Sequence, residues 1–141
     1  MNDQCRMLAL IMACFMPAIG YGSNWVPIPV SSFEGSALYV DTESVVKKGN
    51  FVRIWERLVL NRPSKYPAIG TFQSCKFYMS YNCGQKSAAL LETRFYKDFD
   101  SLEEVANSIH ARPRYMFVAP GTPSETKLDE VCKLAKGHRN R

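Results

Sequence analysis

The sequence predicts an α+β protein: an antiparallel β-sheet of about five to six strands packed against a C-terminal α-helix. Three observations carry that reading. Short runs of alternating apolar and polar residues recur from Trp25 to Phe95, separated by turn-forming residues. One segment near the end, from Thr122 to Gly137, instead spaces its apolar residues as a helix does. The chain has 141 residues, enough for a single core, and a domain of that size buries roughly two-thirds of the surface its unfolded form exposes.

The first segment, MNDQCRMLALIMACFMPAIGYGSN, reads as a secretory signal. Arg6 precedes an apolar run from Met7 to about Ile19, and Ala18, Gly20 and Gly22 stand at cleavage offsets. That run is too short for a stable membrane helix, which needs about 20 residues. Residues 1–22 are therefore assigned to a signal peptide and residues 23–141 to one domain, with 137–141 as a basic mobile tail. Cys14 after Ala13 opens a second reading, a lipoprotein anchor. Export would leave Cys75, Cys83 and Cys132 in an oxidising compartment, where three thiols allow one bridge and one remainder.

Along the mature chain, NWVPIPV contains Pro27 and Pro29, which lack ladder donors and place it at a sheet edge. SALYVD is a short strand ended by Asp41, Thr42 and Ser44, whose side chains bond nearby backbone. KKGN supplies Gly49 and Asn50 for a turn into FVRIWERLVL. There Val52, Ile54, Glu56, Leu58 and Leu60 share the core parity, while Arg53, Trp55 and Arg57 point together the other way. NRPSKYPAIG, with two prolines and a glycine, reads as a loop.

From Thr71 to Cys83 the alternation returns, with Cys75, Phe77, Met79, Tyr81 and Cys83 opposite Ser74, Lys76, Tyr78 and Ser80. KSAALLETRFYK follows as a strand with Ala89, Leu91, Thr93 and Phe95 on one face. DSLEEVANSIH predicts a short helix capped by Asp100, and RYMFV a further strand. The final helix is the best specified. Thr122 can cap it, Pro123 suits its first position and Glu125 completes a capping box, while Leu128, Val131, Cys132 and Ala135 share a face and Gly137 offers a stop. Cys132 thus faces the sheet, where periodicity leaves its partner open between Cys75 and Cys83.

Catalytic constellations are scarce. His110 and His138 are the only histidines, so a hydrolytic triad would depend on His110. Cysteine spacings lack the short pairs of a zinc site, no phosphate-binding or dinucleotide-binding glycine motif occurs, and Glu103 and Glu104 read as a solvated face. No cofactor or metal is expected. The net charge of +5 favours anionic partners. Lys47, Lys48, Arg53, Trp55 and Arg57 form the candidate binding patch, basic and aromatic, and Arg62, Lys65 and Tyr66 a weaker second one. The competing structural reading packs Trp55 as architecture, with the arginines over its edge. Nucleic acid is not expected as a partner of an exported chain.

Taken in order, Trp25, LYVDTESVVKKGNFVRIW, the YNC ending at Cys83 and YMFVAPGTPSETKLDEVC resemble the surface-adhesin protein E family of Gram-negative bacteria. The resemblance covers nearly all of the mature chain and rests on the combination of motifs. It implies an antiparallel sheet tied to a C-terminal helix by a disulfide, which maps onto Cys83 and Cys132. Cys75 departs from the pattern, and the segment from Phe99 to Arg112 looks like a local insertion. Within the family the resemblance extends to an outer-membrane adhesin that binds host extracellular-matrix proteins and can bind haem. The function it implies is an exported, non-enzymatic binding protein, periplasmic or at the outer surface, meeting a protein or an anionic extracellular ligand. A periplasmic inhibitor or accessory protein of an envelope complex is the alternative, and a small hydrolase a more distant one.

Overall fold

The computed structural model describes residues 22–30 and 35–138. Apart from Gly22, the expected signal peptide, Cys14 included, lies outside the described residues, as do residues 139–141 of the expected tail. The elements are β1 (Trp25–Ile28), β2 (Ala37–Asp41), a 3-10 turn (Thr42–Ser44), β3 (Val46–Lys48), β4 (Phe51–Tyr66), β5 (Gly70–Asn82), β6 (Ser87–Tyr96), β7 (Glu104–Ile109), β8 (Met116–Phe117) and α1 (Pro123–Gly137). They form one antiparallel sheet in the order β1-β2-β4-β5-β6-β7, with β3 beside β4 and β8 beside β6. The six strands along that path and the C-terminal helix are the architecture the sequence predicts.

β1 occupies the edge, as its prolines require. At the end of β2 the Asp41 carboxylate accepts from the Asn24 and Glu43 backbone N–H groups, at 2.8 and 3.1 Å, and turns the chain. Gly49 then takes φ +59° in the two-residue connection between β3 and β4. In β4 the alternation holds at its start, where Val52, Ile54 and Glu56 are buried, and it fails further along, where Val59 is buried and Leu58 and Leu60 are only partly covered.

Three expectations are corrected. NRPSKYPAIG is no loop: Asn61–Tyr66 continues β4 and folds back as a hairpin onto Gly70–Phe72, with a register irregularity between Val59 and Ser64 that absorbs Pro63. Leu91 is skipped where β5 pairs with β6, so Ala89 and Thr93 do not share the single face assigned to them. DSLEEVANSIH is not a helix. Leu102 and Ile109, at 84% and 73% exposure, bury no helical stripe, and Glu104–Ile109 instead pairs along β6 as β7. The turn into it is made by Asp98, not capped by Asp100: the Asp98 carboxylate accepts from the Leu102 and Glu103 N–H groups, which holds its pKa below the usual carboxylate value.

α1 closes one face of the sheet. Leu128, Val131 and Ala135 pack on Val40, Val52, Ile54 and Tyr81, and each fully buried aliphatic side chain contributes about 1.5–3 kcal/mol. Thr122 caps the helix, its hydroxyl accepting from Glu125 N–H at 3.3 Å, while Glu125 reaches back to the Gly121 N–H rather than to the cap itself. Gly137 belongs to the helix, and His138 caps its end. Cys132 joins Cys83, just past β5, with a Cα separation of 5.9 Å. An ion pair between Lys86 and Asp129 holds the helix over the β5–β6 turn nearby. Cys75 is a buried free thiol, and burial pushes its pKa up to about 11.

Candidate functional site

The outer face of the sheet, away from α1, is where the charged residues of β4 gather. Register sets them in rows: Tyr39 on β2 faces Arg57 on β4, Arg57 faces Lys76 on β5, and Lys76 faces Arg94 on β6. Like charges placed directly opposite one another destabilise a sheet, so this row of cations needs compensation.

Aromatic rings supply most of it. The Arg57 guanidinium lies 5.1 Å from the ring centroids of both Trp25 and Tyr39. The Lys76 ammonium is 5.7 Å from Trp25 and 4.9 Å from Tyr96. Arg94 is 5.4 Å from Trp55 and is also paired with Glu92 at 2.6 Å and Glu104 at 3.6 Å. Such contacts are worth about 0.5–1 kcal/mol where exposed and more where water is excluded. Arg57 and Lys76 make no ion pair among the described residues, and Arg57 Nε is buried without an acceptor. Burial, followed by the charges of Arg57 and Arg94, lowers the Lys76 pKa, against weaker opposing effects of Asp41 and Asp98.

The five residues of the candidate patch fall into two groups. Lys47, Lys48 and Arg53 are exposed on the β3–β4 hairpin, Lys48 and Arg53 on the outer face and Lys47 opposite Val52, on the helix side. Trp55 and Arg57 lie further along β4, within the ladder. Trp55 stacks on Tyr78 at 4.9 Å, and the cation above it is Arg94 rather than Arg53 or Arg57. Arg62, Lys65 and Tyr66 are exposed on the extension of β4. Trp25, Tyr39, Lys76, Arg94 and Tyr96 complete the ladder and were not singled out as site residues. Alternation had already turned Lys76 and Tyr78 away from Cys75, but only register shows which strand neighbours they meet.

On the helix side a polar cluster sits within the core. The Glu56 side chain, 1% exposed, accepts from Lys127 Nζ at 2.9 Å and from the Tyr81 hydroxyl. Burial, and then the Glu56 charge, push the Tyr81 pKa well above its ordinary value. Beside this cluster is a pocket of about 290 Å³, bounded by Met79, Tyr81, Ala88, Met116, Phe117 and Lys127 among others. His110 is exposed just after β7. Among the described residues, no three or more His, Cys, Asp or Glu side chains converge as a metal site, and no helix is long and apolar enough to cross a membrane.

Comparison with known proteins agrees with this architecture. Solved structures of Haemophilus influenzae protein E superpose with a TM-score of 0.57 at 17% identity, covering 80% of this chain and 89% of that one. A second crystal form gives 0.55 at 16% identity, covering 81% and 99%. A search of curated protein sequences finds no match. The family model described as Surface-adhesin protein E matches residues 25–133. The chain, with its sheet, its C-terminal helix and the Cys83–Cys132 bridge between them, belongs to the surface-adhesin protein E family.

Proposed function

We propose that the protein is an exported, non-enzymatic binding protein, adhesin-like, held in the periplasm or displayed on the outer surface of a Gram-negative cell. It recognises a host or envelope macromolecule, a protein or an anionic extracellular ligand, through the basic-aromatic outer face of the sheet. Lys47, Lys48, Arg53, Trp55 and Arg57 contribute to that recognition, the first three from the hairpin and the last two from the ladder. The observation that carries the reading is the cationic row itself. Arg57 and Lys76 lie side by side against aromatic rings and make no ion pair among the described residues, which leaves charge for a partner to meet. Membership of a surface-adhesin family supports the same direction.

Pull-down of host matrix and envelope components with tagged protein, set against an Arg53→Ala, Trp55→Ala and Arg57→Ala variant, tests the reading. Retention of a partner by the first and not by the second is the expected result. Labelling of intact cells with a membrane-impermeant reagent tests display, and lack of labelling removes the adhesin assignment.

A second reading, a periplasmic accessory protein of an envelope complex, has its own support. Leu102, Ile109, Met116 and Phe117 are exposed around β7 and β8, at 84%, 73%, 73% and 70%, and offer apolar surface to a protein partner. Co-purification from the periplasmic fraction, abolished by Ile109→Lys and Met116→Lys, is its test.

A further inference from the structure

We propose that Arg57 and Lys76, walled by Trp25, Tyr39 and Tyr96, form a receptor for the oxyanions of a linear anionic glycan lying across β2, β4 and β5. The inference rests on the binding function proposed above and names the ligand class.

Each part of the row has a consequence for recognition. Arg94 already has two carboxylates, Glu92 and Glu104, so its charge is balanced within the sheet. Its neighbours Arg57 and Lys76 make no ion pair among the described residues: ring faces lie against both, and Asp41 and Asp98 act on Lys76 only from beyond ion-pair distance. Arg57 Nε is buried without an acceptor, and the guanidinium lies against the Trp25 and Tyr39 rings. A guanidinium held in that way is preorganised for a planar or tetrahedral oxyanion, which it meets with paired donors. Lys76 adds a compact charge on the adjacent strand. An approaching anion relieves the repulsion between the two cations, which adds to burial in lowering the Lys76 pKa.

Position in the sheet selects among anionic partners. β4 and β5 are interior strands, hydrogen-bonded on both sides. Strand addition, the usual way for a sheet to take an extended peptide, requires a free edge. Here only side chains face the ligand. Trp25 and Tyr39, partly exposed beside the cations, suit the flat C–H faces of sugar rings, while Tyr96 is buried and backs Lys76 from beneath, and the oxyanions of a glycan provide the ion pairs that Arg57 and Lys76 lack. Salt should weaken the interaction by screening it.

Calorimetric titration of the purified protein with a heparin hexasaccharide, a hyaluronan oligosaccharide and polyglutamate tests the assignment. At least one glycan should bind more tightly than polyglutamate. Arg57→Gln and Lys76→Gln should each weaken glycan binding about tenfold to a hundredfold, the loss of one charge-assisted hydrogen bond. Arg57→Lys should restore only part of it, and Lys133→Gln with Lys136→Gln, exposed on α1 across the sheet, should leave it within about threefold. Circular dichroism and an intact disulfide establish folding, and Arg57→Lys with Lys76→Gln carry the test if Arg57→Gln does not fold. Unchanged binding by Lys76→Gln and Arg57→Lys overturns the site. Loss on Lys47→Gln with Lys48→Gln but on neither ladder variant overturns it too, while leaving a basic binding surface standing. Preference for polyglutamate replaces the glycan by an acidic peptide. Binding of none of the three rejects the inference, whereas the wider binding reading falls only if the pull-down also captures nothing.

Discussion

Glu56 sits at 1% exposure on the helix side of β4, held by Lys127 and Tyr81. Removing one partner of a buried ion pair leaves the other uncompensated, at a cost of about 3–5 kcal/mol. Glu56→Ala should therefore destabilise the fold by that amount in urea denaturation, and Glu56→Ala with Lys127→Met should recover part of the loss. Alternation placed Glu56 in the core without revealing why a carboxylate is tolerated there, because Lys127 lies far away in sequence and nothing local connects them. The alkaline limb of stability belongs to this scale as well. Burial raises the Cys75 pKa from 9.0 to about 11, and burial with the Glu56 charge raises Tyr81 well above 10.0. Both groups hold their protons in the folded state at pH values where the unfolded chain gives them up. Their contribution is complete below pH 9 and is lost as pH rises towards and beyond 11. Urea midpoints measured at pH 8 and about 10.5 should fall with pH, and Cys75→Ala should flatten the early part of the fall.

Among the elements, α1 and β7 show why one segment could be read locally and the other could not. Thr122, Pro123 and Glu125 act through bonds within a single turn, and the apolar stripe of Leu128, Val131 and Ala135 finds a sheet beneath it. Thr122→Ala should cost about 1 kcal/mol, seen as a lower thermal midpoint. In β7 the apolar residues fall at helical spacing by coincidence. The preference of the segment is set from outside, by the open edge of β6 and the turn built on Asp98. The register break at Leu91 had the same effect on the faces of β6, since a skipped residue reverses every later assignment, whereas in β4 Leu58 and Val59 keep register with Cys75 and Ser74 and only their burial departs from the alternation. The ladder escaped the sequence for a related reason. Alternation gives a side of the sheet, but Arg57, Lys76 and Arg94 become neighbours only once the strands are in register.

For the molecule as a whole, the antiparallel sheet, its C-terminal helix and the Cys83–Cys132 bridge agree with what the family resemblance implied, and Cys75 is the free thiol. The bridge spans 49 positions, and chain-entropy reasoning assigns such a closure about 4 kcal/mol. Reduction under native conditions should lower the denaturation midpoint accordingly, with Cys83→Ala and Cys132→Ala together giving the same shift without reductant. The bridge also changes what proteolytic damage means. The exposed residues from Phe99 to Tyr115 lie between its two cysteines, so a protease that severs this stretch cuts a loop rather than a chain. Both pieces stay fastened, the helix remains seated on the sheet, and the outer face of β4 and β5 survives the wound.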